Sequence, residues 1–141
     1  MNLDQYLGKP VKDVFDKLKG SDSSITLSKS DDVFFITSKK MGFYLDTEEG
    51  SESVCSYRIY LIPDEEFPNV NTDILGVFSG ITTVADIEKI YGSPIREIPS
   101  LNIPGMPKIP GGKEYKYTNH CVLKTAEIDE NIAYIHIVKH S

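Results

Sequence analysis

The stretch that decides the fold is Phe78–Pro94, FSGITTVADIEKIYGSP, which has the signals of a short, well-delimited helix. Thr82 or Thr83 can cap its start, and Thr83 precedes Asp86 by the three residues of a capping box. The exit Gly92–Pro94 combines a residue that ends helices with one that prevents their continuation. Four apolar residues recur at helical spacing and are predicted to form the packed stripe: Val84, Ile87, Ile90 and Tyr91.

A second helix is predicted near the N-terminus. Pro10 suits a first helical turn, and Gly20 suits a helix end. The apolar stripe between them consists of Val11, Val14, Phe15 and Leu18. A further helical turn is expected over Leu3–Leu7, ended by Gly8.

After each predicted helix the hydrophobic period changes from 3.6 residues to 2, which is typical of strands. The segments that are rich in aromatic and β-branched residues are 32–38, 41–47, 53–62, 113–119, 121–128 and 131–139. Residues 23–30 are a candidate for one more strand in the first half. Within each half the links are short, so consecutive strands should be antiparallel neighbours.

The order of one helix followed by strands thus occurs twice, over residues 1–68 and 69–141. We interpret these halves as pseudo-repeats within a single domain, 1–141, because neither half alone is large enough to bury a sheet face. The pattern predicts an α+β fold in which short helices pack on one face of antiparallel strands. The opposite face of the sheet is then free for a partner.

The composition is that of a globular chain. Of 141 residues, 40% are hydrophobic and 26% are charged. No apolar run approaches the roughly 18 residues of a membrane-spanning helix, and the N-terminus does not resemble a secretory signal. We therefore expect a cytoplasmic protein that does not bind membranes. Cys55 and Cys121 are expected to be reduced thiols, with a single disulfide between them as the alternative.

The net charge of −6 is concentrated in residues 43–68, where Arg58 is the one basic residue. The carboxylates of this stretch are Asp46, Glu48, Glu49, Glu52, Asp64, Glu65 and Glu66. Such a run is commonly a solvated loop surface. The alternative is a surface that steers a basic protein partner. The chain has no visible basic patch, which argues against nucleic acid as a direct ligand.

A proline-rich loop, residues 98–112, is the second candidate binding element. Its prolines at 104, 107 and 110 recur every third residue, which is the period of polyproline II. This spacing predicts an ordered, extended strip with apolar side chains on one edge: Ile103, Met106 and Ile109. The strip either packs back on the sheet or presents these side chains to a partner at low entropic cost.

The central helix and its surroundings resemble a known signature. Gly80–Thr82, the helix Val84–Tyr91, the exit Gly92–Pro94 and the later Tyr115 and Tyr117 are similar to a pattern shared by the SmpA/OmlA (BamE-like) lipoproteins and the β-lactamase-inhibitor protein family. In the latter, two helix-plus-sheet units occur in tandem. The resemblance implies a fold in which binding surfaces are common and active sites are not. No lipid-attachment cysteine stands near the start, so it does not imply an envelope role.

Catalytic and metal-binding motifs are missing from the sequence. No Gly-x-Ser-x-Gly, phosphate loop or dinucleotide fingerprint occurs. His136 and His140 lie on a predicted strand, where residues four apart stand about 13 Å from each other, too far for one zinc ion. These two and His120 are expected to be surface histidines. We therefore expect no enzymatic activity, no cofactor and no metal.

These features favour a non-enzymatic binding protein. Its general character resembles that of bacterial immunity proteins, which would neutralise a cognate toxin by occluding its active site or substrate groove. A basic nuclease domain would suit the acidic stretch as partner. The predicted contact residues are the seven carboxylates of residues 43–68 together with Ile103, Met106 and Ile109. The alternatives are an assembly module that uses its sheet face and, third, an enzyme of unrecognised type; the oligomeric state is not predicted.

Overall fold

The computed structural model describes residues 2–140. Within this range there are two α-helices, α1 (Val11–Ser21) and α2 (Val84–Tyr91). Single 3₁₀ turns cover Leu3–Tyr6, Thr72–Ile74 and Gly76–Phe78. The strands are β1 (Thr26–Ser30), β2 (Val33–Ser38), β3 (Phe43–Thr47), β4 (Val54–Tyr60), β5 (Arg96–Ile98), β6 (Gly112–Lys116), β7 (Cys121–Ile128) and β8 (Asn131–Lys139).

The predicted α+β class is confirmed, and so are the six predicted strands and the candidate strand in 23–30. β5 was not predicted. No helix in the described range has both the length and the apolar character needed to cross a bilayer.

The described strands form one antiparallel sheet in the order β1-β2-β3-β4-β8-β7-β6-β5. Tight links make consecutive strands neighbours, as at Asp31–Asp32, where φ is 51° and 66°. Positive φ at both central residues is the type I′ geometry that matches the twist of a hairpin. In the middle of the sheet β4 pairs with β8 and places Arg58 directly opposite His136. The strands of residues 26–60 and those of residues 96–139 therefore meet at the centre.

The face of the sheet towards the helices carries the side chains of the hydrophobic core. Residues directly opposite one another across six strands are Ile36, Leu45, Tyr57, Ile137, Leu123 and Tyr115. They are fully buried and belong to one cluster with Val11, Val14 and Leu18 of α1 and Ile87 of α2. Since residues of both helices join side chains from the same face of the strands, both helices cover that face.

The ends of α2 are as the sequence predicts. Thr83 caps the helix, and Asp86 completes the capping box by accepting the backbone N–H groups of Thr82 and Thr83, each at 3.0 Å. These hydrogen bonds lower the pKa of Asp86 to about 2. Gly92 ends the helix with a φ of 81°.

The predicted burial of Ile90 is wrong. Its side chain is 58% exposed, whereas Ile87 is fully buried and Tyr91 is half-buried. Ile87 and Tyr91 are four residues apart and define the line along which α2 contacts the core. Ile90 lies to one side of this line, where no residue within 2–140 covers it.

The extended form predicted for the proline-rich loop is also wrong. Leu101 and Ile109 exchange two backbone hydrogen bonds of 2.9 Å each, so the loop folds back on itself as a hairpin arm between β5 and β6. At its tip the N–H of Met106 donates to the carbonyl of Ile103 at 3.0 Å, and Gly105 has a φ of 81°. Proline followed by glycine is the preferred centre of a type II turn. This turn overrides the three-residue proline period.

Both cysteines are free thiols: Cys55 is half-buried on β4, and Cys121 is buried at the start of β7. The alternative of a disulfide between them is not realised.

A half-buried carboxylate, Asp4, connects the N-terminal turn to a central strand of the sheet and to the segment after β6. The hydroxyl groups of Tyr57, on β4, and Tyr117, just after β6, both donate to Asp4, the latter over 2.6 Å. Burial, and then the Asp4 carboxylate, raise the pKa of both tyrosines. Hydrogen bonds to an ionised acceptor are stronger than those between neutral groups, so these bonds should stabilise the fold.

Replacing Tyr57 by Phe should lower the free energy of unfolding by about 1.5–2 kcal/mol, because it removes a buried hydrogen bond to a carboxylate. Tyr115→Phe is the matched control. Both rings are fully buried, but no described residue meets hydrogen-bond geometry with the Tyr115 hydroxyl; burial, and then the nearby charge of Glu88, raise its pKa to about 12. Removing the Tyr115 hydroxyl should leave the free energy of unfolding unchanged or raise it, because a buried hydroxyl without a hydrogen bond costs stability. Urea unfolding at pH 7 measures both, and equal losses would contradict a stabilising role for the Asp4 bond.

Candidate binding face

The side of the sheet away from the helices, which we call the polar face, carries polar and aromatic side chains. One row of it crosses six strands with residues directly opposite one another: Thr37, Tyr44, Arg58, His136, Lys124 and Glu114. All six are half-buried. They occupy this face because they alternate along their strands with residues of the core.

Arg58 and His136 form the centre of the polar face. The Nε–H of Arg58 donates to Nδ1 of His136 over 3.0 Å. The guanidinium also lies over two aromatic rings, with its Cζ 3.7 Å from the ring centroid of Tyr134 and 5.4 Å from that of Tyr44. Together the hydrogen bond and the cation–π contacts hold the arginine side chain in place.

His136 is neutral at physiological pH. Burial, and then the positive charges of Arg58 and Lys124, lower its pKa to about 3. Because Nδ1 accepts from Arg58, the proton of the neutral ring is carried by Nε2. His136 is therefore an acceptor that orients Arg58 and is a weak base near neutral pH.

The chain after β4 adds one more aromatic side chain to the polar face. The buried ring of Phe67 stacks on Tyr60 with centroids 4.4 Å apart, and its centroid is 6.0 Å from that of Tyr44. Asp64 holds this turn. Its Oδ1 accepts the N–H of Phe67 at 2.7 Å, and its own N–H donates to the Phe67 carbonyl at 3.0 Å.

A pocket of about 470 Å³ opens beside Arg58. Its lining includes four aromatic and three charged side chains: Phe35, Tyr44, Tyr60, Phe67, Lys39, Arg58 and Glu66. None of the ion pairs among the described residues involves Arg58, so no described carboxylate lies within 4.0 Å of its guanidinium. Lys124 of the same row differs, since it lies 3.8 Å from Glu114, and so does Arg96 on the neighbouring strand β5, which lies 3.1 Å from Glu114.

Among the predicted contact residues, Asp46 lies on the polar face and has partners within the sheet. It accepts a hydrogen bond from the Ser56 hydroxyl, and the Cys55 thiol donates to it over 3.9 Å. Burial raises the pKa of Asp46 and raises that of Cys55 to about 11. Asp46 is thus less available to a partner than the other six carboxylates, which are exposed.

These six carboxylates form two groups at opposite ends of β4. Glu48, Glu49 and Glu52 precede the strand, and Asp64, Glu65 and Glu66 follow it. A seven-residue strand spans about 20 Å, so the two groups do not form one patch. Of the six, Glu66 lines the pocket beside Arg58.

The predicted apolar contact residues lie elsewhere. Ile103, Met106 and Ile109 belong to the hairpin arm between β5 and β6 and are 44–59% exposed. β6 is three strand positions away from β4. The structure therefore does not bring the apolar and acidic candidates together.

Sequence analysis did not identify the centre of the polar face. His136 was expected at the surface, which is wrong, because it is half-buried and bonded to Arg58. The available signal was the two-residue period of β4 and β8. Arg58 precedes the buried Ile59, and His136 stands between the buried Ile135 and Ile137. Polar residues that alternate with buried ones on a central strand predict a second, polar face.

No group of three or more His, Cys, Asp or Glu side chains within residues 2–140 is arranged to hold a metal ion. His120 and His140 are exposed, and the N–H of His140 donates to the His120 carbonyl at 2.7 Å.

Comparison with known proteins shows a likeness at the level of the fold. The sequence matches no protein-family profile and no curated protein. Among solved structures, a cysteine-rich secretory protein from Staphylococcus aureus subsp. aureus Mu50 is similar to the chain with a TM-score of 0.55 and 13% sequence identity. The similarity covers 99% of this chain and 46% of that protein, so the chain corresponds to less than half of its length.

Proposed function

We propose that the protein is a non-enzymatic binding protein that engages a protein partner through its polar face. The observation that carries the proposal is the group of tyrosines, phenylalanine and arginine at the centre of this face. Tyr and Arg, together with Trp, are the residue types that most often dominate the energy of protein interfaces, usually near their centre. Here Arg58 lies against Tyr44 and Tyr134, and Tyr60 stacks on Phe67.

The chemistry of the same residues supports binding over catalysis. A general base should have a pKa near the working pH, whereas that of His136 is lowered to about 3 and its Nδ1 already accepts from Arg58. Burial raises the pKa of Tyr44 and of Tyr60, so both hydroxyls stay protonated. The centre of the face thus consists of held, non-reactive side chains that favour contact with a partner.

Site-specific photo-cross-linking in the native host tests which surface the partner contacts. A photoreactive residue replaces Thr37 or Lys116 on the polar face or, as matched controls, Lys12 or Asp16 on the exposed side of α1. We expect one cross-linked species from both polar-face positions and none from the α1 positions. The same species from the α1 positions alone would contradict the assignment of the face.

A second candidate function is toxin neutralisation in the cytoplasm, with this chain as an immunity protein for a cognate toxin. What supports it is that Glu48, Glu49, Glu52 and Glu65 are exposed and form no ion pair in the described range. Unpaired surface carboxylates accelerate encounter with a basic partner such as a nuclease domain. Identification of the cross-linked species by mass spectrometry decides between an assembly partner and a toxin that this chain inhibits.

We also propose that the two halves, 1–68 and 69–141, are pseudo-repeats, as in the tandem organisation of the β-lactamase-inhibitor protein family. The proposal is supported by the arrangement of the elements. In each half a helix precedes four strands that are neighbours in the sheet, and the last strands of the two halves, β4 and β8, pair with each other.

A further inference from the structure

Arg58 is a half-buried cation with no described carboxylate within ion-pair distance, although the charge of Asp46 acts on it from farther away. Removing a charge from water is costly unless paired groups replace the lost hydration. Its Nε–H is satisfied by the neutral His136, and its guanidinium lies over Tyr134 and Tyr44. A guanidinium has five N–H donors. Tyr60 is a further hydrogen-bond partner of the side chain, and the terminal nitrogens make no ion pair with a described residue. The side chain is therefore held in place with donor capacity left at the pocket.

The pocket favours one type of ligand group. Its charged lining residues are two cations, Lys39 and Arg58, and one anion, Glu66, which gives a net positive lining in a chain of net charge −6. The planar guanidinium matches a carboxylate through two parallel hydrogen bonds. A phosphodiester chain would need several cations along its length, and it would meet the exposed acids at both ends of β4. A single carboxylate fits the charge and the geometry.

We propose that this pocket receives the carboxylate of an Asp or Glu side chain that the partner protein presents. The proposal rests on the proposed function, which assigns the polar face as the contact surface. In this arrangement Arg58 binds the carboxylate, and Tyr44, Tyr60 and Phe67 contact the methylene groups of the incoming side chain. His136 is a positioning residue, since it acts by holding the Nε of Arg58.

Glu66 should act on the bound carboxylate in the opposite direction to Arg58. It lines the same pocket, so its charge opposes the binding of another carboxylate. Glu66→Gln should therefore strengthen binding. Glu65→Gln is the matched control, because Glu65 is the neighbouring glutamate and is also exposed but is not part of the pocket lining.

The test is an NMR titration of the isotope-labelled full chain with blocked tripeptides, acetyl-Gly-Glu-Gly-amide and acetyl-Gly-Gln-Gly-amide. We expect the Glu peptide to shift the Arg58 Nε–H resonance and the ring resonances of Tyr44 and Tyr134. The Gln peptide should bind with an affinity lower by about tenfold or more. Arg58→Lys keeps the positive charge but loses the planar guanidinium that forms two parallel hydrogen bonds. It should lower the affinity for the Glu peptide by a similar factor. Glu66→Gln should tighten binding severalfold, and Glu65→Gln should leave it unchanged.

Equal shifts by the two peptides, or an unchanged affinity in Arg58→Lys, would overturn the proposal. So would tighter binding of inorganic phosphate than of the Glu peptide, which would assign the pocket to a different ligand class. Because the two peptides are compared on the unmodified protein, the result does not depend on the folding of any variant. The titration also needs no natural partner, so its failure is distinguishable from failure of the cross-linking experiment.

Discussion

Acidification from pH 7 to pH 4 should lower the free energy of unfolding by about 2–3 kcal/mol through His136 alone. In the unfolded chain a histidine binds a proton near pH 6.5, whereas the folded state keeps His136 neutral down to a pKa of about 3. A group whose pKa is depressed by folding contributes stability above its unfolded pKa and loses it as the pH falls. The loss should begin near pH 6.5 and continue towards pH 3.

The surroundings of His136 explain why the proton is excluded. Arg58 donates to its Nδ1, Lys124 adds a second positive charge, and the ring of Tyr44 packs edge-on against the imidazole with centroids 6.2 Å apart. A protonated imidazole would therefore face two cations. It would also lose the acceptor that holds Arg58.

Two variants isolate this effect from the titration of the acidic side chains. His136→Asn retains an acceptor close to the position of Nδ1 but cannot titrate, so the slope of stability against pH between 6.5 and 4 should flatten. His120→Asn removes an exposed histidine and should leave the slope as in the unmodified protein. Urea unfolding at pH 7, 6, 5 and 4 gives the slopes. A slope that persists in His136→Asn would assign the acid sensitivity to other groups.

The parts of the fold that were predicted correctly are those that short-range chemistry determines. The capping box at Thr83 and Asp86 and the stop at Gly92 act within a few residues of each other, and the structure has each of them. The strands were visible because alternation along the chain mirrors alternation between two faces. The α+β class follows from these local elements.

The predictions that were wrong concern features that depend on packing against other parts of the chain. Ile90 has the right spacing for a buried stripe, but whether it is covered depends on what packs beside α2. The prolines of the loop have the period of an extended strip, yet Pro104 and Gly105 also suit a tight turn. The two backbone bonds between Leu101 and Ile109 accompany that turn. A local pattern that allows two structures does not decide between them.

The candidate site is a product of tertiary pairing. Arg58 and His136 are 78 residues apart in the sequence and meet because β4 and β8 pair at the centre of the sheet. The concentration of acidic residues in 43–68 predicted one charged surface. In the structure its exposed carboxylates are separated by the length of β4. One of these carboxylates, Asp64, stabilises the turn that places Phe67 on the polar face. Composition could show the charges, but not which of them lie together.

The substitution Gly112→Ala should be strongly destabilising, with a loss of about 3 kcal/mol or more. Gly112 is buried at the start of β6, and a Cβ built there would lie 1.7 Å from the carbonyl oxygen of Thr125 and 2.6 Å from its carbonyl carbon. Its φ is not in the left-handed region, so the obstacle is the space occupied by the neighbouring backbone.

The surrounding hydrogen bonds explain why that backbone cannot yield. The Thr125 hydroxyl accepts the N–H of Lys113 at 3.1 Å, and the N–H of Glu127 donates to the Gly111 carbonyl at 2.8 Å. Moving Thr125 far enough to admit a methyl group would break both bonds and separate β6 from β7. Because β7 is the neighbour of the central strand β8, the disturbance would reach the core.

Gly20→Ala is the matched control for this prediction. Gly20 lies in α1, and a Cβ at this position would meet no atom within 4 Å. The same substitution should therefore stabilise the protein, by about 0.5–1 kcal/mol, because alanine has less conformational entropy to lose and a higher helix propensity than glycine. Thermal and urea unfolding of the two variants should thus change in opposite directions. A loss below about 1 kcal/mol for Gly112→Ala would mean that β6 and β7 can separate without cost, and the pairing of these strands would then not stabilise the sheet.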